Sequence, residues 1–262
     1  MDEDPAIVTP DPWADLRRFT AARLALGRAG GSLPTAEVLG FGLAQAKARD
    51  AVHLPLDAKA LCAGLQAAGH ETLRVSSAAP DRATYLARPD LGRRLRADSA
   101  AQLAAWRGRT PIDLLLVVAD GLSSLAIARH ALPLIAVIQA GTPQGWQPGP
   151  VVVATQARVA LGDEVGERLG ARMVAVLIGE RPGLSSPDSL GIYLTWQPRA
   201  GRTDAERNCI SNVRPEGLAY EAAARKLWWL CAAARGLGLT GVGLKDRSDE
   251  VLLAQEPGAA LK

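Results

Sequence analysis

Two apolar runs constrain this chain more than any other feature. Asp113-Leu114-Leu115-Leu116-Val117-Val118-Ala119 and Met173-Val174-Ala175-Val176-Leu177-Ile178 are of strand length and almost unbroken. A strand with one wet face alternates apolar and polar residues, whereas runs like these predict strands buried on both faces. Val151-Val152-Val153-Ala154 adds a third buried strand, and Leu73-Arg74-Val75-Ser76-Ser77 and Leu190 to Trp196 read as two more. Between them lie helix-period stretches carrying Leu103 and Trp106, Ile127 and Ala131, and Leu161 to Leu169. Alternating buried strands and helices predict an α/β fold: a Rossmann-like, doubly wound, mostly parallel sheet with right-handed crossovers.

The chain before Leu73 reads differently. Residues 1–12 read as a disordered lead-in and residues 13–70 as a helical N-terminal region, leaving residues 71–262 for the sheet domain. Helical spacing runs from Asp15 to Leu26 and stops at Gly27-Arg28-Ala29-Gly30-Gly31. A second helix opens after Ser32-Leu33-Pro34 with Thr35 as its cap, and a third covers Asp57 to Ala68. Near the other end, Gly201 to Arg214 reads as a long polar segment. A helix is expected from Pro215 to Arg235, with proline in its first turn, and Leu239 to Leu244 as a closing strand.

Composition narrows the function classes. A net charge of +3 over 262 residues argues against nucleic acid as a partner. Every apolar run is interrupted by glycine, proline or charge before it could span a bilayer, and the acidic start Met1-Asp2-Glu3-Asp4-Pro5 is no secretory signal. Three cysteines, Cys62, Cys209 and Cys231, with no C-x-x-C spacing, fit a reducing cytoplasm and no disulfide framework.

Familiar motifs are absent or misplaced. Gly236-Leu237-Gly238-Leu239-Thr240-Gly241 has dinucleotide spacing but follows a helix rather than a strand, so it reads as a helix stop. No G-x-S-x-G is present, and no base is identifiable near Cys209, which reads as a small inert group rather than a nucleophile. His53, His70 and His130 are scattered and form no metal-ligand cluster. In open α/β sheets, ligands meet the loops at the carboxyl ends of strands. Three polar segments qualify: Asp120-Gly121, Gly179-Glu180-Arg181, and Arg207-Asn208-Cys209-Ile210-Ser211-Asn212. Glu180 could pair with Arg181 to fix its loop, or present its carboxylate to a ligand's amide groups. Trp228-Trp229 reads as core and rim packing, or as part of a subunit interface if one of the pair is exposed.

Several segments together resemble the ethanolamine ammonia-lyase small (light) subunit. They include Leu16-Arg17-Arg18-Phe19-Thr20-Ala21-Ala22-Arg23, Tyr85-Leu86-Ala87-Arg88-Pro89-Asp90-Leu91-Gly92-Arg93-Arg94-Leu95, Gly179-Glu180-Arg181-Pro182-Gly183-Leu184 and Asn208-Cys209-Ile210-Ser211-Asn212. The resemblance runs from Asp15 to Asp246. It implies adenosylcobalamin as cofactor and conversion of ethanolamine to acetaldehyde and ammonia by a radical route. It also implies a TIM-barrel large subunit holding the substrate, and a hetero-oligomer with several copies of each chain. Position by position, it puts cobalamin contacts on Val159, Glu180 and Cys209, with Arg181 and Ser211 as weaker candidates. Gln45 stands where many relatives carry histidine, which weakens any role for that side chain. Relatives with longer leaders use them for loading into a bacterial microcompartment, and the lead-in here is short. No histidine lies in an Asp-x-His-x-x-Gly motif, so the implied cofactor is expected to keep its own benzimidazole on cobalt. Two rival readings remain at this level: a stand-alone Rossmann-like module for a nucleotide or sugar phosphate, and a hydrolase using Cys209.

Overall fold

The computed structural model describes residues 7–108 and 111–250. After a short 3-10 turn at Ala14–Phe19, the elements follow in the order α1 (Thr35–His53), α2 (Ala58–Ala67), β1 (Thr72–Ser76), α3 (Arg82–Ala87), α4 (Ala97–Trp106), β2 (Ile112–Ala119), α5 (Ser124–Ala140), β3 (Pro148–Thr155), α6 (Val159–Leu169), β4 (Ala171–Gly179), β5 (Leu190–Trp196), β6 (Arg207–Val213) and α7 (Tyr220–Leu237). The strands form one six-stranded sheet in the order β1-β3-β2-β4-β5-β6. β1, β3, β2 and β4 pair in parallel, while β5 is antiparallel to both β4 and β6. The fold is therefore α/β with a mixed sheet, in which β5 alone runs against the other strands, so the expected Rossmann-like, doubly wound, mostly parallel arrangement is met only in part. The reason is connectivity: β4 and β5, and then β5 and β6, are joined directly, with no helix long enough to carry the chain back across the sheet.

The buried runs behave as their composition demands. All eight residues of β2 are buried. Its Leu114, Leu116 and Val118 join a core built with α2, α5 and α7. Leu115, Val117 and Ala119 face a second core built with α4 and α6. Helices thus cover both faces of the central strands. The cover is uneven beyond β4. There α7 packs over Leu190, Ile192, Leu194 and Ile210, whereas the opposite face leaves Tyr193 half-buried and Cys209 and Ser211 exposed.

Four expectations need correcting. The Asp15–Leu26 segment forms only the Ala14–Phe19 turn and buries no residue in it; without a surface to pack on, a short helix does not persist. Thr35 is the first residue of α1, and Pro34 occupies the cap position. The helix expected from Pro215 starts at Tyr220, because Arg214 to Leu218 turn back on β6 through Leu218 N–H to Asn212 O (2.8 Å) and Arg214 N–H to Leu218 O (3.1 Å). Gly241–Gly243 is a 3-10 turn rather than a strand, held by the Asn208 side chain, which accepts from Gly241 N–H (2.8 Å) and donates to Leu244 O (2.8 Å).

The N-terminal segment is unusual for its exposed apolar side chains. α1 buries Ala51 alone, and Leu39 and Leu43 are 68% and 59% exposed. No single helix among the described residues is long and apolar enough to cross a membrane.

Candidate functional site

β2 leads into α5 on one face of the sheet, and its neighbour β3 leads into α6 on the other. Where the two connections diverge, a crevice opens at the strands' carboxyl ends. Asp120, directly after β2, forms its floor and is 2% exposed. Its carboxylate accepts hydrogen bonds from Gln156 N–H (2.8 Å) and Ala157 N–H (3.0 Å), stitching the β2 loop to the β3 loop. Arg82 lies 3.6 Å away and donates to the carbonyls of Val52 (2.7 Å) and Gly121 (2.8 Å). Burial pushes the Asp120 carboxyl above its usual range, against the pull of those amides and of Arg82. Gly179 ends β4 so close to this floor that a Cβ there would meet Ser123 O at 2.0 Å; only glycine fits.

Above the floor lies an open pocket of about 450 Å³ lined by Tyr85, Gly121, Leu122, Arg158, Val159, Ile178, Gly179, Glu180, Arg181 and Tyr193. Val159 is the first residue of α6 and packs on the second core. Glu180 donates its N–H to Ser189 O (3.0 Å) and turns its carboxylate over β5 to accept from Asn212 N–H at 3.2 Å. It makes no ion pair with Arg181 among the described residues, so the alternative of an internal Glu180–Arg181 clamp is not what the structure has. Gly191 gives the carboxylate room, since a Cβ there would meet Glu180 Oε1 at 3.0 Å.

Cys209 is not in a loop: it lies on β6, paired with Tyr193 of β5. The polar reading of Gly201 to Arg214 missed this strand because β6 is an edge with one face open, so only Ile210 and Val213 join the first core. The pairing puts Cys209 beside Tyr193, on the uncovered face and next to the pocket. Its thiol lies 3.3 Å from Ser211 Oγ. Burial, with the Cys209 thiol and Glu180 nearby, pushes the Tyr193 phenol above its usual range. Val159 and Glu180, far apart in sequence, therefore line one mouth, and Cys209 lies beside it through its pairing with Tyr193.

Three members of this site escaped sequence reasoning. Tyr85 comes from α3, is fully buried, and donates its hydroxyl to Ala157 O (3.2 Å); burial pushes its phenol up to about 12. Arg158 stacks on that ring with 4.3 Å from guanidinium carbon to centroid. Tyr193 was read only as strand. None carried a local signal, because their neighbours come from distant segments. On the far side of α6, Arg207 of β6 pairs with Asp163, both nearly fully buried (2% and 1% exposed), which locks the edge strand to the helix.

The fold is α/β, and backbone amide, guanidinium, phenol and carboxylate groups surround an open mouth at the ends of its strands. Among the described residues, no group of His, Cys, Asp and Glu could hold a metal ion. Cys209 hydrogen-bonds to Ser211 and not to a histidine, which counts against the hydrolase alternative. Residues 10–245 match the model of the ethanolamine ammonia-lyase light chain. The chain is 60% identical to an ethanolamine ammonia-lyase small subunit of Ralstonia nicotianae over 96% of this chain and 94% of that one. It is 57% identical to the one from Azotobacter vinelandii over 95% and 92% of the two chains. The figure for the one from Pseudomonas fluorescens is 52% over 99% and 96%. The chain belongs to the ethanolamine ammonia-lyase light chain family.

Proposed function

We propose that this chain is the small subunit of an adenosylcobalamin-dependent ethanolamine ammonia-lyase. In this reading it holds one side of the corrin against a TIM-barrel large subunit that carries the substrate, within a multi-copy assembly. The carrying observation is that Val159 and Glu180, from separate elements, line one open pocket, and that Cys209 lies beside its Tyr193. The donor set fits the group. A corrin is edged by amide side chains, and Glu180 offers a carboxylate to amide N–H groups while Val159 and Tyr193 offer apolar surface. The mouth is smaller than a whole corrinoid and open on one side, so this chain would grip an edge and leave the rest to a partner. When bound, the cofactor supplies the radical that the deamination needs. The residues here orient it and exclude water from one side; substrate acid–base chemistry falls to the large subunit. The parallel β1-β3-β2-β4 half, with its crevice between β2 and β3, supports a Rossmann-like origin for this ligand face.

The test is co-purification with the large subunit followed by titration with cobalamin. The isolated chain is expected to show no lyase activity; measurable deamination by it alone would rule the reading out. In the complex, Glu180→Ala is expected to weaken cobalamin binding by about 1–3 kcal/mol, the range for a charged hydrogen bond. Its unfolding midpoint should stay unchanged, since Glu180 lies past the buried strand. An unaltered dissociation constant would remove Glu180 from the contact set. Cys209→Ser is expected to be milder, because a hydroxyl replaces a weak thiol donor.

A further inference from the structure

We propose that the Arg158–Tyr85–Arg181 corner of the pocket is a subsite for a phosphate ester, and that its occupant is the phosphodiester of the corrinoid's nucleotide tail. The inference rests on the cobalamin reading above and deepens it.

Arg158 is held in place without being neutralised. Its guanidinium stacks on Tyr85, and Nη2 donates only to Tyr85 O at 3.3 Å. Its Nε is buried with no hydrogen-bond partner. Among the described residues no carboxylate pairs with Arg158 or with Arg181. Arg82 and Arg207 also carry one unpartnered buried nitrogen each, but Arg82 faces Asp120 and Arg207 faces Asp163, whereas Arg158 faces no carboxylate. The planar guanidinium fork suits a phosphate, and stacking on an aromatic ring fixes its plane. Val159, next in sequence, opens α6, and no side chain caps that helix start. The backbone N–H groups there add to the same positive corner.

In the same pocket Glu180 would repel an anion and suits amide N–H groups. In a cobalamin the tail phosphodiester is the anion, while the corrin rim carries the amides.

The experiment measures dissociation constants of the complex of both subunits by equilibrium dialysis, so no turnover is needed. The ligands are cyanocobalamin, cobinamide phosphate, cobinamide and inorganic phosphate. Cobinamide phosphate differs from cobinamide by the phosphate group. Arg158→Gln is expected to raise the constants for cyanocobalamin and cobinamide phosphate about tenfold or more, as for loss of a charged hydrogen bond. The constant for cobinamide should not move. Arg158→Lys keeps the stem over Gly92 and the charge but loses the fork, so it should fall between, and it serves if the glutamine variant assembles poorly. Arg181→Gln should act in the same direction with a smaller change. Equal loss for all three corrinoids, or no loss for any, overturns the subsite. Wild-type protein that binds inorganic phosphate yet does not distinguish cobinamide phosphate from cobinamide overturns its assignment to the tail. Normal corrinoid binding alongside either result leaves the cobalamin reading standing. A complex that binds no corrinoid overturns both.

Discussion

Asp120→Ala is expected to destabilise the chain by about 3–5 kcal/mol, the cost of removing one partner from a buried charge pair. The carboxylate accepts from two backbone N–H groups and faces a guanidinium that is itself largely buried (12% exposed). Truncation leaves all three donors where water replaces the acceptor poorly, and each orphaned amide costs roughly 1–3 kcal/mol. Because those amides belong to Gln156 and Ala157, just before Arg158 and Val159, the ligand face should loosen along with the fold. Urea unfolding measures the first effect and cobalamin titration of the complex the second. Asp120→Asn should be intermediate, since its amide offers one acceptor oxygen where two donors converge. A change below about 1 kcal/mol in the alanine variant would show that the two loops are held by something other than this carboxylate.

Asp163→Ala is expected to have a loss of similar size, about 3–5 kcal/mol, for a related reason. Arg207 sits on an edge strand with its guanidinium almost wholly buried, and Asp163 of α6 meets it there. Asp204 also reaches Arg207 at 3.0 Å, but it is 95% exposed and offers little compensation. Removing Asp163 leaves a cation in the core, whereas replacing both partners with apolar residues removes the need for either. The double variant Asp163→Leu with Arg207→Met should therefore recover most of the stability lost by the single one. Equilibrium unfolding of the wild type, the double variant and the single variants Asp163→Leu and Arg207→Met checks this; additive losses would show that the two residues act separately.

The buried strands were legible because composition and depth are linked: β2 and β4 have too little polarity to lie anywhere else. β6 was not legible. Arg207-Asn208-Cys209-Ile210-Ser211-Asn212 has the polarity of a loop because it carries an open face, a buried ion pair and an asparagine that organises the next turn. The reversal of β5 was hidden as well, since the strand is apolar enough to suit a parallel neighbour and orientation depends on the connection. For the site, Glu180 was readable from its place after an apolar run. Val159 and Cys209 came from resemblance alone. Tyr85 and Arg82, which arrive from α3, became visible only when the chain was folded.

The antiparallel run from β4 through β5 to β6 has a consequence for the order in which the molecule assembles. Its strands meet neighbours that follow directly in the chain, so each pairing closes a short loop. β1 must instead wait for β3, with α3, α4, β2 and α5 intervening. Low sequence separation favours early pairing, and distant parallel pairing comes late. The strand leading to Glu180 and those bearing Tyr193 and Cys209 thus take shape from local chain, while the far edge of the sheet is the last to close.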